Sequence, residues 1–368
     1  MNALIHVIPE WLQLISLTFC IGALVSRLLV FTPVAGEEFP SQGNVLTFMW
    51  RSFAGCLAVV VAGSIWELLT RASEMSGQPI SSVLPALPTV IFHTHAGGAW
   101  LIRMAALVFL SIALPIGRRY RDSRGFLLFA LGLMALVSMT ESASGHASDK
   151  GDFSIAEIID WLHLLAASVW GGGLLVLSII LLPALVRTGD QGATLIAGVA
   201  SRFSRIAGIA VGVIAITSIY NAWIDVGSIG AFWKSPYGRI VIAKILLFLL
   251  LINLGAFNRY INVPLLQQWG SVSPGRQGII SHIVDRFVPP VLREQKGHSI
   301  ALRFRRSVRI EALLIIGVLL CAAFLRHEIP ARHAGHLGHG SGEPYPMHHH
   351  NGDDPRTQPD SQSHDERK

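Results

Sequence analysis

The sequence predicts an all-α membrane protein of about eight transmembrane helices, built as two tandem four-helix repeats and followed by a disordered, His-rich C-terminal tail. Three observations predict it. Of the 368 residues, 51% are hydrophobic and only 14% charged, against roughly a quarter charged in a soluble domain. The apolar residues lie in unbroken runs rather than at the period of a half-wetted helix, and several runs pass the ~18 residues that mark a spanning segment. Short motifs of the first half also recur in the second at constant spacing.

The runs place helices near residues 8–32, 52–71, 94–116, 125–143, 156–185, 204–225, 238–258 and 309–326. No Lys or Arg precedes the first run, 11–31, and it exceeds the h-region of a signal peptide, so it reads as a retained helix. The fourth and eighth are the shortest. Their charge-free cores, 125–140 and 312–325, fall below the ~20 residues that cross a hydrocarbon layer, a deficit that snorkelling arginines and local thinning can cover.

Orientation follows from the loop cations. The third connection holds Arg118, Arg119, Arg121 and Arg124, and the fifth Arg187, Arg202 and Arg205. The seventh, 259–307, is read as a long cytoplasmic loop with Arg276, Arg286, Arg293, Lys296, Arg303 and Arg305. The even connections offer little beyond Arg71, Lys150 and Lys234. Retained positive charge marks the cytoplasmic side, which puts both termini on the outer, periplasmic face of an inner (plasma) membrane. Ile279, Ile280, Ile283, Phe287 and Val288 in the seventh connection fit either a surface helix on anionic lipid or a solvated loop. The net charge of +6 does not point to nucleic acid, because the cations sit between apolar runs rather than on one basic face.

The repeat is read from pairs 150 residues apart: Glu10-Trp11-Leu12-Gln13-Leu14 with Asp160-Trp161-Leu162-His163-Leu164, Gly22 with Gly172, Pro33 with Pro183 and Phe53 with Phe203. In the third and seventh helices, Gly97 with Arg103 matches Gly238 with Lys244. Parallel repeats imply a pseudo-two-fold axis along the membrane normal and favour a site between halves. The domains are therefore 1–150, the first repeat; 151–328, the second repeat with its loop 259–307; and 329–368, the tail.

The segment from Asp160 through Leu162-His163-Leu164-Leu165-Ala166-Ala167-Ser168-Val169-Trp170-Gly171-Gly172-Gly173-Leu174 resembles a signature helix of the copper resistance D (CopD) family. Phe203-Ser204-Arg205, Tyr237-Gly238-Arg239 with Lys244, and Asn258-Arg259 continue the resemblance in order, mainly over residues 155–326. Gly97 to Arg103 and Gly145-His146-Ala147 carry a looser likeness in the first half. The resemblance implies an integral membrane protein that moves or handles copper ions and confers copper resistance, and not an enzyme. The chain has neither a Walker A motif nor the Asp-Lys-Thr-Gly motif of metal-pumping ATPases.

Copper of either oxidation state accepts imidazole, and Cu(I) also thiolate and thioether. Cys20, Cys56 and Cys321 are isolated within apolar runs and read as packing residues, as do Met104, Met134 and Met139. The expected ligands are histidines of the outer face: His163 inside the fifth helix, His146 after the fourth, and His93 and His95 at the start of the third. Asp160, three residues before His163, is expected to fix that imidazole's tautomer, with Trp170 on the same face. Glu10, with His6, approaches from the first helix. Arg103 and Lys244, each roughly 10–12 Å inside its helix at 1.5 Å per residue, are expected to gate a passing ion, hold a carboxylate such as Glu67 or Asp225, or snorkel to the interface.

Eight of the fifteen histidines fall in residues 327–368. His333, His336 and His339, then His348, His349 and His350, give the tail the composition of a metal collector without selecting copper over zinc or nickel. The expected partners are the lipid bilayer, copper ions and a periplasmic copper-binding protein. Two other readings share these features. Paired membrane histidines, His163 with His95 or His146, also hold haem b in electron-transfer proteins, and a copper sensor that transports nothing would look alike.

Overall fold

A computed structural model describes residues 2–35, 42–144, 154–226, 228–270 and 297–328. Among them there is no strand, and eight helices are long and apolar enough to cross a membrane: α1 (Ile5–Phe31), α2 (Gly43–Ser76), α3 (His95–Arg119), α4 (Arg124–Ala143), α5 (Ile155–Val186), α6 (Ala193–Val226), α7 (Pro236–Trp269) and α8 (Gly297–His327). The protein is thus a multi-pass, all-helical membrane protein. At 1.5 Å per residue, α4 spans about 30 Å, one hydrocarbon layer, and the 34-residue helices about 51 Å. The excess length corrects the sequence reading of the loops. Helix α6 starts eleven residues before the expected position, while α7 runs on to Trp269 and α8 begins at Gly297. The expected loop 259–307 is therefore largely helix at both ends.

Local chemistry explains several boundaries. Thr94, Ser123, Ser154 and Ser235 each accept a hydrogen bond from the backbone N–H three residues on, capping α3, α4, α5 and α7. Three π-helical segments, Ser26–Phe31, Leu177–Leu181 and Asn258–Asn262, share a cause: Pro33, Pro183 and Pro264 follow each by two residues. A proline lacks the N–H for the helix ladder and crowds the carbonyl four residues back, which here lies inside the widened turn.

Helices α1 and α5 form the centre: 83% and 78% of their apolar windows are buried, against 6% for α7. They cross in backbone contact, because a Cβ built on Gly22 would overlap the Gly172 backbone and one on Gly172 would overlap the Thr18 carbonyl. Thr18 Oγ1 lies 3.5 Å from Ser168 Oγ beside that crossing. With lipid tails as apolar as leucine, such close approach supplies van der Waals packing that larger side chains would prevent. Around this pair, α1 packs on α2 and α8, and α5 on α6 and α4. Trp11 Nε1 donates to the Ile316 carbonyl of α8 at 3.0 Å, and Trp161, 150 residues later, to the Ala135 carbonyl of α4 at 3.1 Å. Outward-facing Ile209, Ile216, Ile219 and Trp223 of α6 and Phe109, Ile112 and Ile116 of α3 are more than half exposed and form the lipid-facing surface.

Candidate functional site

Up-and-down threading gathers the starts of α1, α3, α5 and α7 with the ends of α2, α4, α6 and α8. This end, called the histidine end below, carries two polar clusters. The opposite, arginine end is held by contacts such as Arg27 Nε to Asp122 Oδ1 at 3.1 Å and Arg259 Nη1 to the Ser204 carbonyl at 2.6 Å.

The first cluster centres on Arg103, which is fully buried. Its guanidinium pairs with Glu67 and with Glu141 Oε1 (3.1 Å), and donates to Thr140 Oγ1 (3.2 Å), the Thr140 carbonyl (2.9 Å) and Ser144 Oγ (3.0 Å). Glu141, itself buried, accepts from Gln13 and from Arg326 Nη1 at 3.0 Å. Arg326 also meets Glu10 Oε1 at 3.0 Å, and Glu10 Oε2 faces His327 Nε2 at 2.6 Å. Carboxylates and guanidinia alternate through α1, α2, α3, α4 and α8. Arg103 and Glu141 are buried, so each of these charges depends on its partners, which marks this cluster as a brace. Arg103 does not snorkel; its carboxylate partners lie beside it.

The second cluster is built differently. His163 of α5 is half-buried, and its Nδ1 lies 2.9 Å from Thr217 Oγ1 of α6. With the Thr217 hydroxyl donating to the Val213 carbonyl at 2.8 Å, Oγ1 accepts from Nδ1–H, and in that tautomer the Nε2 lone pair is open. Asp160 does not take the role expected from its spacing: it accepts from Ser142 of α4 and, at 3.4 Å, from Asn221 Nδ2 of α6. The i, i+3 offset puts Asp160 beside His163, but a serine and an asparagine claim its oxygens. Tyr237 OH donates to Asp225 Oδ2 at 3.1 Å. Lys244 is within electrostatic range of Asp160, Asp225, Cys321 and His163, yet its ammonium makes no hydrogen bond or close ion pair among the described residues. Trp170 lies deeper in α5, buried, its ring edge-on to Phe248 at 6.0 Å.

His93 closes the short helix Leu87–His93, and His95 opens α3 after an extended Thr94. Both are exposed. His146, His333, His336, His339, His348, His349 and His350 lie outside the described residues. Among the described residues no three His, Cys, Asp or Glu side chains form a metal cluster. Sequence reasoning passed over Glu141, Arg326, Thr217 and the buried pair Asn258–Glu311. Glu141 and Glu311 each stand one residue beyond a charge-free core, 125–140 and 312–325, and an acidic residue at the margin of a span is the signal that could have found them.

The fold and these clusters define a multi-pass membrane protein with ionisable side chains organised at one end of the bundle. Two family profiles match it in order: "Copper resistance protein D-like, N-terminal domain" over residues 1–155 and "Copper resistance protein D" over residues 197–325. The chain is 29% identical over 233 residues to copper resistance protein D of Pseudomonas syringae pv. tomato, covering 62% of this chain and 73% of that one. It is 32% identical over 216 residues to copper transport protein CutJ of Bacillus subtilis (strain 168), covering 56% of this chain but only 39% of that one. No solved structure matches the chain. The chain belongs to the copper resistance D family.

Proposed function

We propose that the protein moves copper ions across the inner membrane, with His163 as the ligand that receives copper at the histidine end. The observation that carries this reading is the contrast between the two clusters. By position in the two halves, Gln13 corresponds to His163 and Glu67 to Thr217, each 150 residues on, and Arg103 corresponds to Lys244. Every charge of the first set is engaged, whereas the second keeps an imidazole nitrogen open and an ammonium without a close partner. A locked half supports and an open half works. Lys244, a cation near the route, sets the electrostatic barrier that an incoming copper ion meets.

In this proposal the two four-helix halves, 1–150 and 151–328, form one scaffold with a single asymmetric site. The tail 329–368 lies with both termini on the periplasmic side and collects copper, through His333, His336, His339 and His348–His350, from the medium or from a periplasmic copper-binding protein. His146, His93 and His95 serve as loop-borne way stations, and no catalysed reaction is involved. The test is uptake of radioactive copper in cells with matched amounts of protein. His163→Gln, which keeps polarity and reach but removes the imidazole, is expected to abolish uptake, and adding Gln13→His is expected not to restore it. Wild-type uptake by His163→Gln would remove His163 from the route.

A further inference from the structure

Away from His163, the start of α1 and the last residue of α8 bring two imidazoles together. The rings of His6 and His327 are 6.0 Å apart, centre to centre, at 51°. His6 is half-buried and His327 exposed, and each lies within two residues of the end of its helix. A bound imidazole nitrogen lies about 2.0–2.1 Å from a metal, which puts the ring centre about 3.2 Å from the ion. Two rings can therefore share one ion only if their centres lie within about 6.4 Å of each other, the limit reached when the ion sits on the line between them. The observed separation falls just inside that limit and calls for a wide N–metal–N angle.

Glu10, one turn after His6 on the same face of α1, positions His327. Its Oε2 accepts from His327 Nε2 at 2.6 Å, while its Oε1 is held by Arg326 at 3.0 Å. With the proton on Nε2, the lone pair of His327 lies on Nδ1. This is the arrangement in which a carboxylate fixes a ligating histidine and raises its basicity. Both Glu10 oxygens are already engaged, so the carboxylate is not a third ligand, consistent with the absence of any three-ligand cluster among the described residues.

We propose that His6 and His327 form a two-coordinate site for a monovalent, soft d10 ion, Cu(I), with Glu10 as its positioning residue. Zn(II) and Cu(II) call for four or more ligands in tetrahedral or tetragonal arrays, which this pair does not offer. The site joins the first helix to the last, at the point where the chain passes into its His-rich tail, and it hands copper from that tail to the bundle. The assignment of the metal rests on the copper reading above; the pairing of the two rings does not.

The test is anaerobic titration of the purified full chain with Cu(I) against a chromophoric Cu(I) chelator. The tail is present in every variant, so differences between variants report the pair. His327→Ala and His6→Gln are each expected to lose one tightly bound Cu(I) per chain, and the double variant to lose that same single equivalent. Glu10→Gln is expected to keep the equivalent but bind it about 10–100-fold more weakly. Unchanged stoichiometry and affinity in either single variant would overturn the proposal, and so would loss of two equivalents in the double variant, which would mean independent histidines. Cells expressing the wild-type chain that accumulate no copper would sink the transport reading while leaving this binding result standing.

Discussion

Replacing Arg103 by Gln separates the bracing role of the first cluster from the open character of the second. The substitution keeps an amide of moderate length but removes the positive charge and the forked donor set. Arg103 is fully buried and touches two carboxylates, two hydroxyls and a backbone carbonyl. Summing those contacts at ~1.5–3 kcal/mol for each charged hydrogen bond overstates the loss. Removing one partner of a buried ionic group costs about 3–5 kcal/mol, because the remaining charge is stranded. The lower end applies here: Glu141 keeps Arg326, and Glu67 keeps Arg71 at 3.7 Å. At about 2–3 °C per kcal/mol for a chain of this size, the melting temperature of the detergent-purified protein is expected to fall by about 6–10 °C. Arg103→Lys, which keeps the charge but not the fork, is expected to recover part of that. Lys244→Gln is expected to melt within about 2 °C of wild type, since no close partner is lost, and to alter copper uptake instead. An Arg103→Gln protein that melts with wild type, or a Lys244→Gln protein that melts as low as Arg103→Gln, would refute the division into brace and open site.

The other expectations are simpler to check. A periplasm-active reporter fused after His350 is expected to be active and one fused near Arg276 silent, and the reverse pattern would move the tail to the cytoplasm. Deleting residues 331–368 is expected to lower copper accumulation mainly when external copper is scarce; complete loss at every concentration, with normal insertion, would make the tail part of the route. Gly172→Val is expected to cut the yield of folded protein severely, because its side chain would enter the Thr18 carbonyl of α1, as judged by the monodisperse fraction in size-exclusion chromatography. Gly132→Val, where nothing lies within 4 Å of the added Cβ, is the matched control.

The helices were legible because lipid admits little else than long apolar segments whose backbone bonds are satisfied internally. Their lengths were not. The first turns of α6 are apolar but are cut off from the main run by Ser201, Arg202, Ser204 and Arg205, and α7 continues to Trp269 past Asn258, Arg259 and Pro264, while the backbone stays helical across both interruptions. Glu67 could be named beside Arg103 because a cation that deep needs a counter-charge. Glu141 and Arg326 escaped because the contacts joining them to Gln13 and Glu10 link residues 128 and 316 apart in the chain. Asp160 shows the opposite limit. Spacing on one helix offers it to His163 and says nothing about Ser142 and Asn221, which reach it from α4 and α6 and decide its bonds.

At the centre of the molecule, Thr18 meets Ser168 and Gly22 meets Gly172, each residue touching the one 150 positions away. A contact in which a position meets its own counterpart is the hallmark of a two-fold axis between identical subunits. A stand-alone four-helix unit could therefore dimerise through the same patch, with two equal polar clusters at its end. Once one chain carries both units, each copy can change alone, and histidine on one side with glutamine on the other becomes accessible. Fusion thus permits a lopsided bundle to grow from a symmetric parent, and a co-expressed pair of separate halves would be the place to watch that symmetry being broken.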